Sequence, residues 1–126
     1  MIVSCGEALI DFLPLPGADG ESGFRAHAGG SPFNVAVAVG RLGSAAGFFG
    51  GLSGDLFGET LDKALHASNV DTSLAHRSER PTTLAFVSLA GGNARYAFFD
   101  EGSAGRMLTG NDLPALPKTV AALHFC

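Results

Sequence analysis

The chain has 126 residues, which is room for one domain with one hydrophobic core. Apolar residues make up 46% and charged residues 16%, so the chain is globular rather than disordered. The net charge of −4, without a basic run, argues against a nucleic-acid partner, and the apolar stretches are too short to span a bilayer. Cys5 and Cys126 form no metal or redox motif, and the first residues do not resemble a signal peptide, so we expect a cytoplasmic protein.

Three short strands are predicted at the start of the chain. Residues 2–5 and 8–13 are apolar runs, and residues 24–28 alternate after a loop rich in Pro and Gly. Asp11 is the one carboxylate in the second run. A carboxylate can accept hydrogen bonds from two neighbouring hydroxyls, which suits a polyol ligand, although it also suits a solvated strand end or a turn cap.

Residues 28–43 predict a tight glycine turn that leads directly into a helix. Ser31 is expected at the N-cap, Pro32 at the first helical position and Gly43 at the left-handed stop. The residues between them leave almost no polar face, which is typical of a helix that is buried on all sides.

Gly29 and Gly30 precede this helix and carry no Cβ atom. They would let a ligand approach the free N–H groups of the first turn, or they would serve only as a turn. Asn34 lies in that first turn, where its amide can both donate to and accept from hydroxyls. An asparagine with no function is equally common at such a position.

The next part of the chain predicts a buried strand and an amphipathic helix. Residues 45–51 are apolar and rich in glycine, and Asp55 is expected to cap a helix that ends at Asn69. The apolar face of this helix carries Phe57, Leu61, Ala64 and Leu65. The alternation of strands and helices predicts a parallel sheet covered by helices.

A hairpin and a final strand complete the predicted elements. Residues 82–89 and 94–99 flank the segment Ala-Gly-Gly-Asn at 90–93, which is a hairpin signal. Residues 120–125 predict a buried strand, after which the chain stops. A chain that stops there is typical of a truncated protein, so we expect a substantial part to lie beyond Cys126.

Five ordered segments resemble the N-terminal part of a PfkB/ribokinase-family carbohydrate kinase. The opening is most like that of the fructokinases in this family, and the second segment resembles the family's first signature. Together the segments cover essentially the whole chain: residues 5–12 (CGEALIDF), 29–36 (GGSPFNVA), 47–58 (GFFGGLSGDLFG), 81–86 (PTTLAF) and 123–125 (LHF).

This resemblance implies an α/β fold, the N-terminal part of a ribokinase-like three-layer α/β/α sheet with a small β-sheet lid. Residues 1–126 would form the substrate-binding part, with lid strands within about 8–28 and 82–99. The implied activity is the ATP-dependent phosphorylation of a sugar hydroxyl. ATP and Mg²⁺ would be bound mainly by the C-terminal half, which is absent here, and a monovalent cation would join them. The aspartate base is expected downstream, so this chain alone is expected to be inactive.

The resemblance also assigns roles to individual residues. Asp11, Gly29, Gly30 and Asn34 would contact the sugar, with no catalytic, cofactor-binding or metal-binding residue in this chain. On the lid, Phe98 and Arg95 are further candidates, because an aromatic ring can cover the apolar face of a sugar and exclude water. Lid aromatics would equally suit an ordinary core.

Several alternatives remain open at this stage. Fructose is the first expected substrate, with 2-keto-3-deoxygluconate, ribose or a nucleoside as rivals, since the family often differs at Ser31 and Pro32. The competing function is a non-catalytic sugar-binding or dimerising module. Exposed lid edges favour pairing with a second copy, so we expect a homodimer through the lid. Residues 105–110 have the spacing of a phosphate loop, but Asn111 stands where the lysine is needed.

Overall fold

The computed structural model describes residues 1–16, 22–90 and 93–126. Its helices are α1 (Ser31–Arg41) and α2 (Leu56–Ala67), and a 3-10 turn covers Gly110–Asp112. The strands are β1 (Ile2–Cys5), β2 (Leu9–Pro16), β3 (Ser22–Gly29), β4 (Ala46–Phe49), β5 (Gly51–Ser53), β6 (Val70–Asp71), β7 (His76–Ser78), β8 (Thr83–Ala90), β9 (Asn93–Phe99) and β10 (Ala122–Phe125). No helix in the described part of the chain is long and apolar enough to cross a membrane.

The first sheet is parallel, as predicted, with strand order β10-β1-β4-β6. Both helices pack against this part of the molecule. The largest buried side chains of the core include Phe48, Leu61 and Leu65. The carboxyl ends of β1 and β10 lie beside the start of α1, where Ser4 Oγ donates to the Pro32 carbonyl at 2.8 Å.

The second sheet has four strands in the order β3-β2-β8-β9. It consists of two antiparallel hairpins, β2–β3 and β8–β9, which are joined by parallel pairing of β2 with β8. These strands fall in the ranges expected for lid strands. The turn residues Gly91 and Gly92 of the predicted hairpin lie outside the described residues, as does part of the predicted loop, residues 17–21.

The predicted strand at 45–51 is divided into β4 and β5 by Gly50. A Cβ atom at Gly50 would overlap the Gly6 carbonyl oxygen, so the backbone of the two segments is packed closely here. β5 then pairs with β7 in a small parallel sheet of its own, which the sequence did not predict.

The start of α1 differs from the prediction. Gly30, at φ 106°, occupies the cap position, and the helix begins at Ser31, whose hydroxyl lies 2.8 Å from Cys126 Sγ. The N-cap role expected for Ser31 is therefore wrong, because the left-handed glycine turns the chain one residue earlier. The stop at Gly43, with φ 83°, is confirmed.

The predicted burial of α1 on all sides is also wrong. One face, which includes Phe33, Ala36 and Gly40, is buried, whereas Asn34 and Ala38 are exposed. Among the described elements, β1, β4 and α2 pack against one side of α1, so its largely apolar composition does not bring burial on every side. The exposed side is the side that faces the cleft described below.

β10 is more exposed than predicted. Leu123 and Phe125 are 40% and 71% exposed, because β10 is an edge strand that pairs with β1 alone among the described strands. The prediction for α2, by contrast, is confirmed: Asp55 Oδ1 accepts from the backbone N–H groups of Phe57 and Gly58 at 3.1 and 2.7 Å.

We expect Gly30→Ala to lower the free energy of unfolding of the whole protein by about 2–4 kcal/mol. The new Cβ would lie 2.7 Å from the Glu7 carbonyl oxygen, in addition to the cost of the left-handed backbone. Gly43→Ala is the matched control, since it is also left-handed but has no described atom within 4 Å of the Cβ position. Its expected cost is about 1 kcal/mol. Urea denaturation measures both, and equal losses would contradict the steric argument.

Candidate functional site

A cleft of about 570 Å³ lies between the start of α1 and one face of the second sheet. It brings together four residues that the sequence analysis selected separately: Asp11, Gly30, Asn34 and Phe98. The remaining lining residues are Glu7, Leu9, Ser31, Val35 and Ala38. The cleft therefore combines acceptors, an amide, a helix start and an aromatic ring.

The register of the second sheet places Phe98 on the same face as Asp11. Asp11 lies opposite Ala85 on β8, and Ala85 lies opposite Phe98 on β9. Residues directly opposite one another in a sheet project to the same face. Ala85, the small residue between them in this row, is fully buried and does not line the cleft.

Gly29 makes room for the Asp11 carboxylate. A Cβ atom at Gly29 would lie 2.6 Å from Asp11 Oδ2, closer than Cβ contacts occur. Among the described residues, Gly29 thus lies behind the carboxylate rather than in the lining of the cleft. Its role in this structure is to let the acid lie beside the end of β3.

Gly30 and Asn34 form the start of α1. The Gly30 carbonyl accepts the first helical hydrogen bond, from the Asn34 N–H at 2.9 Å. Gly30 also lies against the backbone of Glu7 and Ala8, which is the segment that follows β1. The exposed Asn34 side chain is thereby placed on the wall of the cleft.

The environment of Asp11 alters its acidity. Burial raises the pKa of the Asp11 carboxyl above its ordinary value, and the positive charge of His27 opposes this shift. His27 is the residue directly opposite Asp11 on β3. The carboxylate is thus partly desolvated, which strengthens the hydrogen bonds that it can accept.

Arg95 does not share this cleft. It lines a separate depression of about 220 Å³ with Phe24 and Phe86, on the opposite face of the second sheet. Arg95 and Phe98 are separated by an odd number of positions on one strand, so their side chains project to opposite faces. The prediction that both reach one site is therefore wrong within this chain, and the strand period alone could have shown it.

The sequence analysis missed Glu7 and Ser31 as lining residues. Glu7 follows the carboxyl end of β1, and ligands of open parallel sheets bind outside the carboxyl ends of the strands. That rule was a usable signal for Glu7. Ser31 was assigned to capping and was connected with the sugar only through the family's variation at Ser31 and Pro32.

Within the described ranges there is no group of three or more His, Cys, Asp and Glu side chains that could hold a metal ion. The two carboxylates of the cleft, Glu7 and Asp11, are acceptors for hydroxyl or ammonium donors. With the amide of Asn34, they give the cleft hydrogen-bonding groups that suit a ligand rich in hydroxyls and disfavour an anionic one.

An open parallel sheet with a cleft at the carboxyl end of its strands is the geometry of an α/β protein with a small-molecule site. The sequence pattern of the pfkB family of carbohydrate kinases matches residues 1–124, so the chain belongs to this family. The resemblance on which the sequence analysis relied is therefore confirmed.

Individual relatives are similar over nearly the whole chain. It is 54% identical over 125 residues to a fructokinase of Rhizobium leguminosarum bv. trifolii, covering 99% of this chain and 38% of that protein. The chain thus spans well under half the length of this curated relative.

Solved structures confirm the ribokinase-like α/β fold. A fructokinase of Xylella fastidiosa with bound ATP has a TM-score of 0.83 at 37% identity, covering 90% of this chain and 37% of that one. A fructokinase double mutant of Vibrio cholerae with fructose, ADP and potassium has a TM-score of 0.81 at 30% identity, covering 99% and 39%.

We expect the pKa of Asp11, measured by carboxyl NMR titration of the whole protein, to lie above that of a solvent-exposed aspartate. His27→Gln removes the positive charge opposite Asp11 and should raise this pKa further. His66→Gln is the control, because His66 lies on α2 beside Asp62 and should leave the Asp11 titration unchanged. A lower Asp11 pKa in the His27 variant would contradict the assigned electrostatics.

Proposed function

We propose that the whole protein transfers phosphate from ATP to a hydroxyl of a neutral sugar. The present chain spans about 38% of the length of its Rhizobium relative. The observation that carries the proposal is the cleft, where Asp11, Asn34 and Phe98 converge on the start of α1. The likeness to fructokinases supports fructose as the first substrate to test.

Each residue of the cleft has a part in this proposal. Asp11 accepts hydrogen bonds from two sugar hydroxyls, and Gly29 leaves the space that its carboxylate needs. Asn34 donates to one hydroxyl and accepts from another. Phe98, which is 58% exposed without a ligand, covers the apolar face of the ring and reduces water access.

The charge of the cleft favours a neutral sugar over a sugar acid. Its lining holds two carboxylates, Glu7 and Asp11, and no Lys, Arg or His among the described residues. His27 lies beside Asp11 on the sheet but does not line the cleft. A substrate carboxylate would therefore meet repulsion, which supports fructose or ribose above 2-keto-3-deoxygluconate.

The nucleotide half of the reaction is assigned to residues outside this chain. ATP, with Mg²⁺ on its phosphates and with a monovalent cation, would bind there, next to an aspartate that takes the proton from the sugar hydroxyl. The hydroxyl oxygen then attacks the γ-phosphorus, and ADP leaves. The Xylella structure with ATP and the Vibrio structure with fructose, ADP and potassium support the use of ATP as the phosphate donor. The residues described here orient the sugar, so this chain alone would be inactive.

The second sheet would act as a lid in this proposal, and its surface would also form a homodimer. Aromatic side chains are exposed on both of its faces, among them Phe24, Tyr96 and Phe99. Its outer strands β3 and β9 have unpaired edges within the described chain, which favour association with a second copy. A non-catalytic dimerising module is the second candidate function, and the turnover assay below separates it from a kinase.

The direct test is turnover by the full-length protein with MgATP across fructose, ribose, a nucleoside and 2-keto-3-deoxygluconate. We expect the largest kcat/KM with fructose and the smallest with the sugar acid. ADP release coupled to NADH oxidation gives the rate. Absence of turnover with every compound would leave the non-catalytic module, and preference for the acid would refute the charge argument.

Asp11→Asn in the full-length protein tests the site itself. The amide keeps the size of the side chain but replaces a charged acceptor by a donor, so the sugar KM should rise at least tenfold, as expected for a hydrogen bond to a charged group worth about 1.5–3 kcal/mol. The ATP KM should not change. Glu101→Gln removes an exposed carboxylate that does not line the cleft and is the matched control. An unchanged sugar KM in the Asp11 variant would remove this residue from the site.

A further inference from the structure

Asp55 connects the start of α2 to the start of β8. Its Oδ1 atom, besides accepting from the first turn of α2, accepts from Thr82 Oγ1 at 2.6 Å. Its Oδ2 atom accepts from the Thr82 backbone N–H at 2.8 Å. Thr82 is buried, and we call this pair of contacts the Asp55–Thr82 clamp.

The clamp uses more of Asp55 than a helix cap needs. Capping α2 occupies only Oδ1, yet both carboxylate oxygens hold Thr82. Burial raises the pKa of Asp55, but hydrogen bonds from Thr82 and Gly58 outweigh this and keep the pKa below its ordinary value. The carboxylate therefore stays charged at neutral pH, and its hydrogen bonds are of the stronger, charge-assisted kind.

A second contact fastens the same end of the β8–β9 hairpin. The Thr83 hydroxyl donates to Ser103 Oγ at 2.8 Å, and both residues are buried. The Ala104 N–H donates to the Pro81 carbonyl at 2.9 Å. The hairpin is thus held at its base, where β8 begins and where the chain continues after β9.

The second sheet is attached to the rest of the molecule at both sides and through β2, where Ile10 and Phe12 pack against the core. On the β3 side, Gly29 and Gly30 continue directly into α1, and Gly30 lies against Glu7. On the β8 side, the attachments are the Asp55–Thr82 clamp and the Thr83–Ser103 and Ala104–Pro81 hydrogen bonds. β9, which carries Phe98, is three strands from β3, which is roughly 14 Å at about 4.8 Å per strand. Ala85, three residues after Thr82, lies opposite Phe98 on β9, so a shift at the start of β8 would be passed to Phe98 through the pairing of β8 with β9.

We propose that the Asp55–Thr82 clamp is a positioning device that sets where Phe98 lies over the cleft, so that Thr82 contributes to sugar affinity without touching the sugar. This inference rests on the proposed function, because it takes Phe98 as a sugar contact. If the clamp only stabilised the fold, its loss would lower the melting temperature and leave the sugar KM unchanged.

The test is a double-mutant cycle in the full-length protein with Thr82→Val, Phe98→Ala and the combination. Valine keeps the shape of threonine and removes the hydroxyl bond to Asp55. We expect Thr82→Val to raise the sugar KM about fivefold, as for the loss of one hydrogen bond, with the ATP KM unchanged. In the Phe98→Ala background, Thr82→Val should raise the KM no further, because its effect depends on the Phe98 ring that this variant lacks.

Two controls accompany the cycle. Thr82→Ser keeps the hydroxyl and should restore the wild-type KM. Thr60→Val removes a hydroxyl that bonds within α2, to the Leu56 carbonyl at 2.9 Å, and should leave the KM unchanged. If Thr82→Val does not fold, Asp55→Asn replaces it, since the amide keeps an acceptor for the α2 cap and loses the bond from the Thr82 N–H.

The outcomes separate this inference from the proposed function. If Phe98→Ala leaves the sugar KM unchanged, the proposed sugar site is wrong at Phe98, and the clamp proposal fails with it. If Phe98→Ala acts but Thr82→Val alters only the melting temperature, the clamp is structural and the proposal alone is overturned. If the two effects multiply independently in the double variant, the clamp acts by a route other than Phe98, which also overturns it.

Discussion

The close contact between Gly30 and the backbone of Glu7 is the constraint on which the site depends. A Cβ atom at Gly30 would lie 2.7 Å from the Glu7 carbonyl oxygen, and the backbone there is left-handed. Because the contact is between backbone atoms, it brings the segment after β1 and the start of α1 directly together. The cleft forms beside this contact, with the first turn of α1 on one wall and the second sheet on the other.

The second sheet places two functional side chains beside this contact, and they come from distant parts of the sequence. Asp11 arrives on β2 and Phe98 on β9, and parallel pairing of β2 with β8 puts them in one row. Ala85 lies between them in this row. Neither hairpin alone would form a wall with both a carboxylate and a ring, so the pairing of the two hairpins is what makes the site.

Local patterns predicted the elements well where one physical cause dominated. The cap at Asp55, the stop at Gly43 and the hairpin strands follow from side-chain and backbone preferences that operate within a few residues. Asp11, Gly30 and Asn34, which line one cleft, became candidates through the family resemblance, since local patterns alone left a turn or a cap equally open.

The predictions that were wrong about burial have a different cause. They depend on what packs against an element rather than on the residues within it. The exposure of β10 depends on its place at the sheet edge, and that of α1 on which side meets the sheet; neither is encoded within the segment itself. Ser31 was a good cap by type, but Gly30 had already taken the position. Arg95 was a different error, because the strand period that separates it from Phe98 was available in the sequence.

The parallel order of the first sheet has a consequence for how the chain folds. β1 lies in the interior of the sheet, and one of its two partners, β10, is formed by residues near the other end of the chain; Ser4 and His124, 120 positions apart, lie 3.0 Å from each other. Closing so long a loop costs entropy before any contact repays it, so this pairing is expected late on the folding pathway. During synthesis the edge of β1 that pairs with β10 therefore has no hydrogen-bond partner until β10 has emerged from the ribosome.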